Sequence, residues 1–271
     1  MTGEPLTFGG HLDVLRRMLM RIAAVTVALA AVVFCFKDAT FGLLLAPTQW
    51  DFITYRMLER LMNRLGFDFG FEPYHVNLIA TELSSQFMAH LTASLMLGAL
   101  LASPYIVVEL FAFVAPALYD RERKVALRVM AAVCALFALG VLMSYFVLVP
   151  IAFRFLGTYQ VAPQIESNIT LDSYIRTFTT LTLLMGLVFQ LPVAVGLLAR
   201  RGIVRSDMMR RYRRHAILLI MLLAAVITPP DVMTLLLVAL PLALLYELSI
   251  RIARHVEEKA KQKLKEQKRK R

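Results

Sequence analysis

Cysteine is almost absent from this sequence, and the features that would indicate an enzyme or a disulfide-bonded scaffold are missing as well. The only two cysteines, Cys35 and Cys134, lie inside apolar runs, which is typical of small buried hydrophobes rather than of a disulfide or a metal pair. The five histidines are scattered without metal-ligand spacing. HExxH, GxSxG and Gly-rich phosphate-loop motifs do not occur. The sequence therefore predicts no enzyme, no cofactor and no metal.

Apolar residues are what the sequence has in excess. They make up 59% of the 271 residues, and the mean hydropathy is +0.65, whereas soluble domains are about 45–50% apolar. The excess lies in runs that approach the roughly 20 residues needed to cross a bilayer as a helix. A net charge of +11 would suggest nucleic acid in a soluble protein. Here membrane orientation accounts for the charge, so we expect an all-α integral membrane protein and no nucleic acid partner.

Six transmembrane helices are predicted, in one membrane domain over residues 1–254 that precedes a basic cytoplasmic tail, 255–271. The spans are about 20–41, 87–113, 124–149, 174–199, 213–228 and 232–250. Pro104 interrupts the second span, and Pro150 is expected to end the third. Pro229 and Pro230 separate the short fifth and sixth spans, which cross only where the bilayer is thinned or their ends are shielded. Residues 51–65 have the spacing of an amphipathic surface helix.

The lysines and arginines are distributed very unevenly between the two sides of these spans. One side carries the N-terminus, the loops between spans two and three and between four and five, and the tail. It holds all of the 30 basic residues except Lys37, Arg56, Arg60, Arg64, Arg154 and Arg176. The positive-inside rule then places both termini in the cytoplasm. An even number of spans agrees with that orientation.

A few polar residues lie within or beside the apolar spans, where ionisable groups are costly and usually paired or functional. Glu109 and Glu247 lie near cytoplasmic ends, so a solvated or paired structural role is favoured for both. Gln190 lies deeper, and its position fits equally an interhelical hydrogen bond or a polar spot on a membrane-facing concavity. Asp231 follows Pro229-Pro230, which favours a turn or a helix N-cap.

The connector FVAPALYDRER, residues 113–123, contains an acid that topology alone does not require. Pro116 ends the second span, and Glu122 stands between Arg121 and Arg123. One interpretation is that Glu122 responds to the dipole at the start of the third helix. The other is that it faces a groove and binds an incoming cation. The residues by themselves favour the first.

Short motifs follow one another in order along the spans. They are His11-Leu12…Leu15-Arg16, FVAPALYDRER, Tyr145-Phe146…Pro150, Phe189-Gln190-Leu191-Pro192, Thr228-Pro229-Pro230-Asp231 and Pro241…Tyr246-Glu247. Together, over nearly the whole chain, they resemble the TatC family, the core subunit of the twin-arginine protein translocase.

The resemblance implies a glove-shaped bundle of six helices with a concave face, in the bacterial inner membrane. It implies a receptor for signal peptides that carry two consecutive arginines. Folded cargo would cross with TatA-type and TatB-type single-span partners, driven by the proton-motive force. Self-association in a multisubunit complex is also expected.

The resemblance also assigns site residues. Glu122 would contact the arginine pair, with Phe113, Arg16 and Arg123 in the surrounding patch. The family's N-terminal acid falls on Val14, while Asp13 lies one residue earlier, about 100° around a helix. Asp13 could substitute, Glu122 could act alone, or this chain could be a paralogue with a narrow cargo range.

Gln190 takes the place of a glutamate found in many relatives of this family. It keeps the hydrogen-bonding capacity of that side chain and loses the charge. A mechanism that needs an ionisable group at this position is therefore doubtful for this chain.

Two other functions are compatible with a six-span protein. A small secondary transporter would line its pathway with Gln190 and Glu109, but no internal repeat typical of many transporters is found. A membrane assembly scaffold would differ from a receptor in having no need for Glu122.

Overall fold

The computed structural model describes residues 8–66, 77–118, 123–159, 162, 168–228 and 231–269. At 8–11, 111–118, 123–126, 227, 260–261 and 263–269 it describes the helical backbone alone. The described chain is almost entirely helical, which confirms the predicted all-α class. The helices are α1 (Phe8–Cys35), α2 (Lys37–Leu45), α3 (Ile53–Arg64), α4 (Ser85–Leu118), α5 (Arg123–Met143), α6 (Val149–Thr158), α7 (Leu171–Val188), α8 (Leu191–Arg200), α9 (Ser206–Arg211), α10 (Arg213–Ile227) and α11 (Val232–Arg269).

Three short elements complete the described structure. A 3₁₀ turn spans Ala46–Thr48, and a π-helical turn, Ser144–Leu148, joins α5 to α6. Two-residue strands, β1 (Leu78–Ile79) and β2 (Ile169–Thr170), pair in parallel.

Five segments of the described chain are long and apolar enough to cross a membrane: Leu12–Cys35, Ser85–Leu110, Leu127–Thr158, Leu171–Arg200 and Val232–Lys259. They correspond to the first four and the last of the predicted spans. The predicted fifth span is α10, a helix of 15 residues, shorter than those five. The count of six spans therefore stays a prediction.

Proline did not end the helices where the sequence led us to expect it. Helix α4 continues through Pro104, which was expected to interrupt it, and through Pro116, which was expected to end it, to Leu118. Helix α6 continues past Pro150 to Thr158. Proline has no N–H, so an ordinary helix would leave the Phe146 carbonyl without its donor from residue 150. The π-helical turn widens the chain at this point, and the Thr54 hydroxyl donates to the Phe146 carbonyl instead.

The predicted basic tail begins within helix α11. Helix α11 runs from Val232 to Arg269 without a break, so the start of the tail is a continuation of the last membrane helix. An ion pair between Arg254 and Glu258 at i,i+4 spacing, 2.8 Å long, supports this extension.

The described chain divides into two compact units, Met1–Leu45 with Ala80–Ala135, and Ala46–Ile79 with Leu136–Arg271. In the first unit α1 and α4 pack as an antiparallel pair. Phe34 stacks on His90 with ring centroids 4.0 Å apart, and Gly98 lies against Ala30. A Cβ on Gly98 would come within 2.6 Å of the Ala30 nitrogen. The glycine therefore allows the two backbones to approach closely, as small residues do between membrane helices.

The second unit has its own core. The largest fully buried side chains within it include Leu148, Tyr174, Phe178, Leu181 and Leu242. Helix α5 approaches α7 closely, since a Cβ on Gly140 would meet the Met185 carbonyl oxygen at 2.5 Å. Ser144 and Thr182 exchange a buried hydroxyl–hydroxyl hydrogen bond of 3.3 Å across the same contact.

The close approach of α1 and α4 yields the first prediction. Gly98→Ala should lower the free energy of unfolding by about 1–3 kcal/mol, because the new methyl group meets main-chain atoms that cannot rotate away. The midpoint of unfolding of the purified protein in detergent measures it. Gly42→Ala is the matched control, since no atom lies within 4 Å of a Cβ there. Equal midpoints for the two variants would contradict the close contact.

Candidate functional site

One end of the α1–α4 pair holds Asp13, Arg16 and the backbone of Phe113, three of the residues that the sequence predicts for signal-peptide binding. The ion pair of Arg21 with Glu109 fixes the register of the two antiparallel helices. Moving back along α1 from Arg21 leads to Arg16 and Asp13. A similar distance forward along α4 from Glu109 leads to Phe113 and to the last turn of α4. Both side chains on α1, Asp13 and Arg16, are exposed.

The structure describes several of the predicted site residues only in part or not at all. Phe113 and Pro116 lie in the last turns of α4, and Arg123 is the first residue of α5, in each case with the backbone alone described. Glu122, Pro229 and Pro230 lie outside the described residues.

Glu109 is paired on both of its oxygens. Arg21 Nη2 donates to Oε2 at 2.8 Å, and the Tyr105 hydroxyl donates to Oε1 at 2.7 Å. The carboxylate is only 14% exposed, whereas the Arg21 side chain is 59% exposed. A glutamate held in this way favours a structural role, because a residue lining a transport pathway would need a free oxygen for its substrate.

Gln190 lies at the break between α7 and α8. Its backbone N–H donates to Leu187 rather than to Gly186, which releases the Gly186 carbonyl. The Gln190 side-chain amide donates to that carbonyl at 3.2 Å. Pro192, in the first turn of α8, is compatible with the break because its missing N–H is not needed there. This hydrogen bond of Gln190 thus runs back along its own helix.

The turn between α10 and α11 is held by side chains on both sides. The Thr228 hydroxyl donates to the Ala224 carbonyl at 2.9 Å. The Asp231 carboxylate accepts the N–H of Thr234 at 2.7 Å and also its hydroxyl. This is the geometry of a helix N-cap, and it starts α11 at Val232.

Sequence reasoning missed three polar links that connect α9 and α10 with α11. Arg213 pairs with Glu247, and Glu257 accepts the N–H and hydroxyl of Ser206 at 2.6 and 2.9 Å. The Tyr246 hydroxyl donates to the Met209 carbonyl at 2.8 Å. Of the three links, the sequence could have predicted only the pair of Arg213 and Glu247. These two residues are equally far in sequence from Pro230, as partners across a hairpin are.

No group of three or more His, Cys, Asp or Glu side chains that could hold a metal ion occurs in the described part of the chain. Its five membrane-length helices define a multi-pass helical membrane protein. A family model described as "Sec-independent protein translocase protein (TatC)" matches residues 10–241. The chain belongs to the TatC family. TatC is a transport component rather than a classical enzyme. The resemblance on the sequence motifs is thereby confirmed, and the transporter alternative loses its support.

Individual relatives agree with this over nearly the whole chain. The chain is 30% identical to the TatC protein of Blattabacterium sp. subsp. Periplaneta americana over 94% of its length and 97% of that protein. It is 32% identical to TatC of Carboxydothermus hydrogenoformans, over 96% and 97%. TatC of Escherichia coli strain K12 is 29% identical, over 90% and 86%.

Solved structures show the same fold. The chain matches a crystal structure of the twin arginine translocase receptor TatC with a TM-score of 0.72, 26% identity, 91% of this chain and 99% of the other. A second structure of the same receptor, in DDM, matches with a TM-score of 0.73, 27% identity, and 90% and 99% coverage.

The Arg21–Glu109 pair yields the second prediction. Arg21→Gln alone should destabilise the protein more than Arg21→Gln combined with Glu109→Gln, because the single variant leaves the Glu109 carboxylate, only 14% exposed, without its partner. We expect a coupling free energy of about 1 kcal/mol in a double-mutant cycle of unfolding in detergent. Additive single effects would show that the pair contributes nothing. The Arg254 and Glu258 cycle serves as control, because both side chains of that pair are exposed by more than half.

Proposed function

We propose that this chain is the signal-peptide receptor subunit of a twin-arginine translocase, and that one end of the α1–α4 pair is where the two arginines bind. The observation that supports the proposal most is the antiparallel register set by Arg21 and Glu109. It places Asp13 and Arg16 at the same end as the last turn of α4, from which the connector with Glu122 leads to α5.

Glu122 suits the recognition of paired arginines on chemical grounds. Arginine is always charged, and its planar guanidinium matches a carboxylate through two parallel hydrogen bonds. Such a pair is stronger at a partly dehydrated membrane surface than in water. A neutral or basic site could not select two adjacent arginines. In this proposal Phe113, Arg16 and Arg123 form the surroundings of Glu122.

Asp13 is the second acid available at this end. It is exposed on α1, and within the described part of the chain no ion pair occupies it. Val14, which replaces the family's glutamate, is also exposed, at 40%. Asp13 is therefore free to turn toward a bound arginine, although it starts from a different face of the helix.

The charge distribution supports the membrane orientation that we propose, and the short helix α10 supports a partner-binding face. Six spans with both termini in the cytoplasm place the α1–α4 end and Glu122 on the side where cargo is made. The short helix α10 exposes Leu218, Leu222 and Val226 along one face, at 72%, 62% and 79%. That face suits the single span of a TatA-type or TatB-type partner in a self-associated complex, with the proton-motive force driving passage of folded cargo.

Export of a folded reporter carrying a twin-arginine signal gives the third prediction. In cells that rely on this chain, Glu122→Ala should reduce export at least about tenfold, since a charge-assisted pair contributes more than 1.4 kcal/mol. Glu258→Ala is the matched control and should export normally, because Glu258 is exposed and far along α11. Unchanged export by the Glu122 variant, at equal protein level, would rule out its assigned role.

The N-terminal acid gives the fourth prediction. If Asp13 substitutes for the family's glutamate, Asp13→Ala should weaken crosslinking of a twin-arginine signal peptide several-fold. Val14→Glu in the Asp13→Ala background should restore the crosslinking, since it returns a carboxylate to this end of α1. Crosslinking that neither change alters would show that Glu122 acts without an N-terminal acid.

A further inference from the structure

Helix α3 borders an open groove of about 790 Å³ within the second unit. Ile53, Met57 and Leu61 form its wall on α3 at i, i+4 and i+8. The opposite wall consists of Phe146, Val147 and Ile151, from the π-helical turn and the start of α6. Apart from two arginines and a threonine, the lining is apolar.

The helix cannot rotate to bury its apolar stripe. Tyr55, only 2% exposed, donates from its hydroxyl to the Pro150 carbonyl at 2.6 Å. Thr54 donates to the Phe146 carbonyl, next to it. With α3 anchored in this way, Ile53, Met57 and Leu61 remain exposed by 52%, 65% and 55%. The apolar stripe is thus held open to whatever surrounds the protein.

A row of arginines lies along the same helix. Arg56, Arg60 and Arg64 follow each other at i,i+4 spacing, where like charges repel. Arg56 is paired with Asp51 at 2.8 Å, but Arg60 and Arg64 line the groove. No acidic side chain is among the groove's lining residues in the described chain. Within the described residues, the groove therefore combines an apolar floor with two cations and no acidic lining residue.

These arginines are also exceptions to the charge distribution of the chain. They account for three of the six basic residues that the sequence places on the non-cytoplasmic side. Topology alone disfavours basic residues there, so their concentration on one helix calls for another cause.

We propose that this groove binds one anionic phospholipid. The phosphate of its headgroup lies between Arg60 and Arg64, and an acyl chain lies along Met57 and Leu61 toward Ile151. A lipid is the occupant that satisfies both halves of the groove, because a free anion leaves the apolar stripe in water. The groove shares no lining residue with the site proposed for signal peptides, and this inference does not depend on that assignment.

Native mass spectrometry of the delipidated full-length protein tests the proposal. Dioleoyl phosphatidylglycerol and dioleoyl phosphatidylcholine are titrated separately, so that only the headgroup charge differs. The protein should hold one phosphatidylglycerol preferentially. Arg60→Gln with Arg64→Gln should weaken that binding at least about tenfold and leave phosphatidylcholine unchanged. Equal binding of the two lipids, or an unaffected double variant, would overturn the proposal.

Two further variants exclude simpler causes. Arg56→Gln removes the same charge one turn earlier from the same helix and should change binding by less than about twofold, because Arg56 does not line the groove. Leu61→Trp keeps every charge and narrows the apolar part of the groove, so it should also weaken phosphatidylglycerol binding. A loss in Arg56→Gln equal to that in the double variant would show a bulk charge effect and overturn the site.

Two observations distinguish a lipid from other occupants. Millimolar inorganic phosphate should not displace phosphatidylglycerol, and displacement together with a silent Leu61→Trp would show a site for free anions. A photoreactive side chain at position 57 should give lipid adducts in membranes, and predominant protein adducts would show a protein partner instead. Either contrary result overturns the proposal, and unchanged unfolding midpoints verify that each variant is folded.

Discussion

The structure depends on one constraint, which is that a helix in a membrane must find a donor for every carbonyl that its own hydrogen-bond pattern releases. At two described interruptions a side chain supplies the missing donor. The Thr54 hydroxyl donates to the Phe146 carbonyl, and the Gln190 amide donates to the Gly186 carbonyl. Gln190, a polar residue inside an apolar run, is the group that supplies a donor at the break between α7 and α8.

The Thr54 contact links this constraint to the surface of the protein. Pro150 removes a donor from the third membrane helix, and α3 supplies the replacement. That exchange docks α3 against the π-helical turn, with Tyr55 as the second anchor. The groove with its exposed apolar stripe and its two arginines is a consequence of that docking. A proline in the membrane thus positions a helix that lies outside the membrane-length segments.

The sequence predicted the helical class and the family, because long apolar runs and ordered motifs are strong signals. It failed at Pro150, where a helix was expected to end, because a donor from a distant segment cannot be read locally. It also missed Arg21 as the partner of Glu109, since the register of two antiparallel helices depends on their packing. The sequence predicted Asp231 as a helix N-cap because Thr234, whose N–H it accepts, lies only three residues away. The contacts of Glu122 remain a prediction from the family resemblance.

We propose above all that the α1–α4 end, with Glu122, binds two adjacent arginines of a signal peptide. The most direct measurement places a photoreactive residue beside the arginine pair of a signal peptide and maps the adducts on the full-length protein by mass spectrometry. We expect adducts within the first turns of α1 and the connector around Glu122, and a marked loss when both arginines are replaced by lysine. Adducts confined to other helices, or equal labelling by the lysine peptide, would contradict it.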